Sequence, residues 1–317
     1  MKIAFVFSGQ GAQYVGMGKE LYENFQEAKK IFDDSNEMLG FDLKNLIFNG
    51  ELKELNITEN TQPAILTTSI AVLEVLRSKG IEADVVAGLS LGEYSALVAS
   101  GAISFNEAVV LVKKRGKYMQ EAVPLGVGSM TAIMGLSIEK IEEAIEMSKD
   151  KGVVQVANYN TPNQIVIGGE VEAVNFASNL CLEYGAKRTI SLKVSGPFHT
   201  ELLEPAAIKL KKELSKISFN DMKIPVISNV TAKEIKKDDD IKDILMKQVK
   251  SSVRWSEIVE KMLDMGIDTF IEIGPGRTLS SFIKEISRAN KVKVNIFNVE
   301  DIKSLNKTLE GVGNIDA

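Results

Sequence analysis

The chain has 317 residues, 44% of them apolar, 26% charged and 6% aromatic, enough to bury a large core in one big domain or two smaller ones. Its 38 basic and 43 acidic residues leave a net charge of −5, which argues against a nucleic-acid binder built on general basicity. One cysteine excludes an intramolecular disulfide and a Cys-rich zinc site; one histidine, His199, excludes a multi-histidine metal centre.

Short β-like apolar runs alternate with helical patterns, the signature of an α/β fold. Ile3–Phe7 reads as the first strand, too short for a signal-peptide core, and runs into the turn Gly9-Gln10-Gly11. Helices are expected over about 21–39 and 61–80, the second with Leu66, Ile70, Leu73 and Leu76 on its apolar positions. Val85–Ala87 is a second strand, followed by helices near 91–100 and 104–121. The uncharged stretch 122–138 contains Pro124 and three glycines and falls short of a membrane span. A soluble cytoplasmic protein without membrane contact is therefore the expectation.

The rhythm changes near Gly126. Strand Met130–Met134, helix 138–149, strand Val153–Ala157, strand Gln164–Ile167, helix 171–184 and strand 187–192 follow in turn. That is the βαββαβ order of a ferredoxin-like unit. The expected organisation is a discontinuous large α/β domain, residues 1–125 and 197–317, with a small ferredoxin-like subdomain, residues 126–196, inserted into it. The larger pattern resumes with helix 201–216, strand Ile224–Ser228, helices near 240–250 and 255–265 and strand Ile267–Ile273. Gly274-Pro275-Gly276 opens another helix, and Val294–Val299 is the last strand. The charge run Lys236–Asp240 reads as a solvated turn. Cys181 shares a helix face with Ala177 and Tyr184 and reads as a core thiol.

Gly88-Leu89-Ser90-Leu91-Gly92 lies between a strand and a helix. Small residues on both sides let the chain turn sharply and project the serine hydroxyl from the strand end, with the Leu91 amide at the helix N-terminus. The alternative is an ordinary glycine turn with a capping serine. A serine nucleophile needs a base, and only His199 is available. By itself a lone histidine is more often a structural or surface residue, but its place at the junction of the inserted unit and the large domain, where clefts form, favours function. Arg115 follows Ala108 and Val112 and precedes Met119 on one helical face. A guanidinium in an apolar stripe calls for an anion, and its planar fork suits a carboxylate. An internal ion pair or a snorkelling side chain would also explain it. Serine and arginine together suggest an acyl substrate with a free carboxylate.

Six segments then fall in one order: Phe7-Ser8-Gly9-Gln10-Gly11-Ala12-Gln13, Gly88-Leu89-Ser90-Leu91-Gly92-Glu93-Tyr94-Ser95-Ala96-Leu97, Arg115-Gly116, Asn158-Tyr159-Asn160, Gly196-Pro197-Phe198-His199-Thr200 and Ile273-Gly274-Pro275-Gly276. In these the chain resembles the malonyl-CoA:acyl carrier protein transacylases of fatty-acid synthesis, over almost its full length. The resemblance implies a hydrolase-like α/β core with a parallel sheet flanked by helices. It implies that Ser90 carries the malonyl ester, that His199 is general base and then acid, and that Arg115 holds the malonyl carboxylate. It further implies an oxyanion hole from the amides of Gln10 and Leu91, and a Gln248 main-chain carbonyl that orients His199. Asn160 and Phe198 fall among the substrate-binding positions, Phe198 resembling the malonyl-selective form. Ser8 and Ser252 stand where proline is usual in the family, and Leu89 where histidine is usual; none of these removes a catalytic atom.

The implied partners are malonyl-CoA and holo acyl carrier protein, with no metal, no resident cofactor, no nucleic acid and a monomeric state. Lys187, Arg188, Lys193 and Lys209–Lys212 are candidates for a basic rim facing an acidic carrier protein. The competing readings are a stand-alone acyltransferase serving a polyketide synthase and a serine thioesterase or acyl hydrolase. An α/β-hydrolase would place its histidine near the C-terminus, whereas 118 residues follow His199 here.

Overall fold

The computed structural model describes residues 1–124, 126–194, 196–237 and 239–316. β1 (Ile3–Phe7) is followed by α1 (Lys19–Asn24), α2 (Gln26–Leu39), α3 (Leu43–Asn49), α4 (Leu52–Leu55) and α5 (Thr58–Ser78), and β2 (Val85–Gly88) by α6 (Gly92–Ala99) and α7 (Phe105–Glu121). β3 (Gly128–Met134), α8 (Ile138–Glu146), β4 (Val154–Thr161), β5 (Gln164–Glu170), α9 (Val171–Glu183) and β6 (Arg188–Ser191) come next. α10 (Glu204–Leu214), α11 (Ile241–Gln248), α12 (Trp255–Asp264), β7 (Thr269–Ile273), α13 (Thr278–Ala289), β8 (Asn295–Val299) and α14 (Ile302–Asp316) complete the order.

One sheet is parallel, in the order β2-β1-β7-β8. Every residue of β1, β2 and β7 is buried, as expected of a parallel sheet covered by helices on both faces. Alternation assigns the side chains to two cores: Phe5, Phe7, Ile271 and Ile273 pack with α5 residues, while Ala4, Val6, Val85 and Phe270 pack with Trp255, Ile258 and Ile283. Phe7 pairs with both Gly88 and Ile273. The carboxyl ends of three strands therefore stop at one level, where an open α/β sheet gathers its ligands.

The second sheet is antiparallel, in the order β4-β5-β3-β6, with α8 and α9 packed on it around Ile133, Ile167 and Ala177. Cys181 belongs to that core and burial pushes its thiol up to about 11. Backbone bonds from Tyr159 N to Val253 O and from Val253 N to Ala157 O join β4 to the segment after α11.

Several expected elements differ. The helix expected over 21–39 is two helices, broken at Phe25 by an extended backbone (φ −130, ψ 126). The helix expected at 138–149 stops at Glu146, and that at 201–216 starts with a 3₁₀ turn at Glu201–Leu203. Ile224–Ser228 is not a ladder strand: it makes single bridges, Val226 with Val86 and Ile227 with Glu234. Pro225 brings no N–H to a ladder, although its carbonyl accepts from Val86 N at 2.9 Å. The helices α3, α4 and α14 were not expected from periodicity. Leu125 and Ser195, at the expected borders of the insert, and Asp238, in the expected 236–240 turn, lie outside the described residues.

Candidate active site

Ser90 sits at the turn from β2 into α6. An added Cβ at Gly88 would lie 2.0 Å from the Gly92 carbonyl carbon, and one at Gly92 would lie 2.2 Å from Phe7 O. Only glycine lets the turn close this tightly against β1. Ser90 itself takes φ 55 and His199 φ 62, a left-handed conformation that non-glycine residues adopt at a cost and that concentrates at functional sites.

Ser90 Oγ lies 2.7 Å from His199 Nε2, and His199 Nδ1 lies 2.8 Å from the Gln248 carbonyl. A carbonyl oxygen can only accept, so Nδ1 carries the proton and Nε2 presents its lone pair to the serine hydroxyl. His199 is buried, and burial, with the nearby Arg115 charge adding to it, lowers the imidazole from 6.5 to about 4. The ring is thus neutral, and competent as a base, throughout the neutral range. Because a base works deprotonated, the acid limb of kcat/KM for acylation is expected near pH 4 rather than near 6.5. A pre-steady-state acylation profile from pH 4 to 8 checks this; a limb centred on 6.5 would contradict the buried neutral ring.

The helix bearing Arg115 begins with a capping box at Ser104 and Glu107, which sets its phase. Ala108, Val112, Arg115 and Met119 are all buried, with Arg115 only 1% exposed. Its Nη1 donates to Gln62 Oε1 at 2.8 Å; its Nη2 donates to Gln248 Oε1 at 2.9 Å and to Ser90 Oγ at 3.2 Å. The guanidinium also lies 5.2 Å from the centre of the Tyr94 ring. Among the described residues no carboxylate forms a salt bridge with Arg115; the buried Glu93 reaches it through Gln248, whose Nε2 donates to Glu93 Oε2 at 2.6 Å. Burial pushes the Glu93 carboxyl up to about 7.

Above the Ser90 hydroxyl opens a cleft of about 450 Å³ whose lining includes Gln10, Ser90, Asn160, Phe198 and His199. Asn160, on β4, donates from Nδ2 to Gln164 Oε1 at 2.8 Å. Phe198 is buried beside His199, and Lys193 lines the same cleft. Gln10 follows β1, with its Nε2 on Thr58 Oγ1 at 3.2 Å. Leu91 is the N-cap of α6. Among the described residues neither the Gln10 nor the Leu91 N–H makes a backbone hydrogen bond. Leu91, Arg115 and Gln248 do not line the cleft but are packed around the serine.

Three polar residues of the cluster were not singled out from sequence: Gln62, Glu93 and Asn229. Gln62 and Asn229 lie far from Ser90 along the chain and in no recognisable motif. Glu93 stands within the serine segment, yet nothing in its spacing announces a buried carboxylate.

A strained serine at a strand-to-helix turn, bonded to a neutral histidine and set beside a buried arginine, defines a serine enzyme that handles acyl groups. The chain belongs to the acyl transferase domain family, whose model matches residues 4–305. Within it the chain is similar to the malonyl CoA-acyl carrier protein transacylase of Bacillus subtilis (strain 168), 50% identical over 310 residues that span 98% of each chain. The crystal structure of malonyl CoA-acyl carrier protein transacylase from Clostridium perfringens superposes with a TM-score of 0.96 at 50% identity, covering 100% of this chain and 98% of that one. A malonyl-transacylase in complex with its type II PKS acyl-carrier protein matches with a TM-score of 0.94 at 41% identity, over 98% of this chain and 100% of that one. Among the described residues no helix is long and apolar enough to cross a membrane.

Proposed function

We propose that this chain transfers the malonyl group of malonyl-CoA to the phosphopantetheine thiol of acyl carrier protein through an ester on Ser90, supplying fatty-acid synthesis. The observation that carries the reading is the line Ser90 Oγ–His199–Gln248 carbonyl, with a buried guanidinium 3.2 Å from the same hydroxyl.

In the first half-reaction His199 Nε2 takes the Ser90 proton as Oγ bonds to the thioester carbonyl carbon. The amides of Gln10 and Leu91 receive the negative charge that develops on the carbonyl oxygen. Collapse of the adduct breaks the carbon–sulfur bond, and the imidazolium returns its proton to the departing coenzyme A thiolate. The carrier-protein thiol then loses its proton to His199, attacks the ester and releases Ser90 by the same steps reversed. Because one thioester is exchanged for another, the transfer is close to balanced and runs both ways. The Gln248 carbonyl does the work of the acidic member of a hydrolase triad, holding the tautomer without adding a charge.

Arg115 is read as the partner of the malonyl carboxylate. Its present partners on Gln62, Gln248 and Ser90 are neutral oxygens, so among the described residues no carboxylate bonds the guanidinium directly, Glu93 reaching it only through Gln248. Phe198 and Asn160 are read as side chains that shape the cleft around the acyl group. The second sheet, with its order β4-β5-β3-β6 and its own core, supports a ferredoxin-like subdomain over residues 126–196 inserted into a large domain of residues 1–125 and 197–317. Lys193 in the cleft lining supports a basic contribution to carrier-protein docking, whereas Lys209 is engaged by Glu121 at 2.8 Å. A cytoplasmic monomer is part of the same reading. The similarity to a transacylase complexed with a type II PKS acyl-carrier protein favours polyketide supply as the second reading.

Incubation with malonyl-, methylmalonyl-, acetyl- and succinyl-CoA, followed by intact-protein mass measurement, is expected to give a stable malonyl adduct on Ser90 that holo carrier protein discharges. Absence of an adduct, or its rapid loss to water without carrier protein, would refute the transferase reading.

A further inference from the structure

We propose that Asn229 is a positioning residue for the nucleophile, holding the Ser90 peptide in its left-handed conformation from a distant segment of the chain; this rests on Ser90 being the acylated residue. Asn229 Oδ1 accepts from Ser90 N at 2.7 Å while its Nδ2 donates to Gly88 O at 2.7 Å. One side-chain amide thus closes both ends of the turn, and the two bonds fix which atom is oxygen and which nitrogen. The other side of the Ser90 residue is held by Gln248, whose Nε2 donates to Ser90 O at 2.8 Å.

Both clamps meet on one carboxylate. Glu93 Oε1 accepts from Asn229 N at 3.1 Å and Glu93 Oε2 accepts from Gln248 Nε2 at 2.6 Å. The hydrogen bonds form a closed ring, Ser90–Asn229–Glu93–Gln248–Ser90, entirely buried. The segment before Asn229 runs beside β2, with Ile227 N on Val86 O at 3.0 Å, and Arg254 N donates to Asn229 O at 3.1 Å. Asn229 is therefore delivered rigidly to the end of β2. It touches neither the Ser90 hydroxyl nor the cleft, so it acts on where Oγ points and not on what binds. Ser90 at φ 55 needs such support: with both its N–H and its C=O engaged by side chains, the turn cannot relax without leaving buried polar groups unpaired.

The test compares Asn229→Ala and Asn229→Asp with the parent enzyme by single-turnover malonylation of Ser90 from pH 5 to 8. Malonyl-CoA affinity is measured separately in a Ser90→Ala background, where no ester forms. Asn229→Ala is expected to lower the acylation rate by about 10²-fold, the effect of a small misplacement of a reacting atom, with affinity unchanged. Asn229→Asp keeps the acceptor for Ser90 N but turns a second oxygen toward Gly88 O. The introduced carboxyl would sit on the residue whose backbone N–H bonds the Glu93 carboxylate, with Arg115, His199 and Tyr94 the other ionisable groups of the cluster. Its rate is expected to be low at pH 8 and to recover as the pH falls, because the protonated acid can donate to Gly88 O while accepting from Ser90 N. Parent-like rates in both folded variants would overturn the proposal. So would losses in both that track a fall in melting temperature with no recovery at low pH, which would leave Asn229 a purely structural role. Failure of the Ser90 reading itself would show separately, as a parent enzyme that forms no Ser90 adduct.

Discussion

Replacing Arg115 with alanine is expected to lower kcat/KM for malonyl-CoA by about 10²–10³-fold, the scale of removing one partner of a buried charge pair. The guanidinium is 1% exposed and bound to three neutral oxygens, those of Gln62, Gln248 and Ser90. A malonyl carboxylate arriving at Ser90 would meet it in a low-dielectric site, where the attraction is large. Acetyl-CoA has no carboxylate, so its loading onto the same variant should fall far less, and the malonyl-to-acetyl ratio is the quantity to read. That ratio also controls for folding, because a variant that unfolds loses both activities together. Unchanged malonyl kinetics would remove Arg115 from substrate binding. Arg115→Lys sharpens the test: it keeps the charge but loses the planar fork, and should recover only part of the malonyl preference.

His199→Ala is the second. It should reduce Ser90 acylation by about 10²–10⁴-fold, the range for loss of a positioned general base, with malonyl-CoA binding little affected. With one histidine in the chain, no other imidazole can substitute, so the residual rate reports what the proposed oxyanion amides and substrate positioning supply. The variant should also change the acid response of stability. With the folded imidazole lowered from 6.5 to about 4, the unfolded chain binds the extra proton between those values. The parent enzyme therefore loses stability as pH falls through that window, and His199→Ala lacks this contribution. Thermal melts at pH 7 and pH 5 for both proteins measure the difference; an equal drop in each would mean the ring is not held neutral in the fold.

Much of this site was legible before any tertiary structure. Ser90 announced itself because a tight strand-to-helix turn demands glycine at 88 and 92, and those demands are local. Arg115 stood out because a helix has a fixed period that puts it on one face with Ala108, Val112 and Met119; that its head is buried rather than snorkelling was decided by the fold. The order of strands and helices was readable for the same reason, and β1, β2, β7 and β8 fell close to where the apolar runs put them. The fold departs from the local pattern where local signals are weak. Phe25 breaks a helix whose amphipathic pattern runs across the break, and residues 224–228 look like a strand but contain Pro225 and pair only by single bridges.

The sequence by itself determined which chemistry was available: one serine at a glycine turn, one histidine to serve it and one arginine on an apolar helix face. Tertiary structure decided what surrounds them. That Asn229, Gln62 and Gln248 converge on Ser90 and Arg115, and that Glu93 ties two of them together, depends on segments up to 158 residues apart meeting at one sheet edge. Hydrogen-bond geometry between such segments leaves no periodicity in the chain. Tertiary structure also decided the state of His199, since burial, with the nearby arginine charge adding to it, keeps the single imidazole neutral well below its ordinary 6.5.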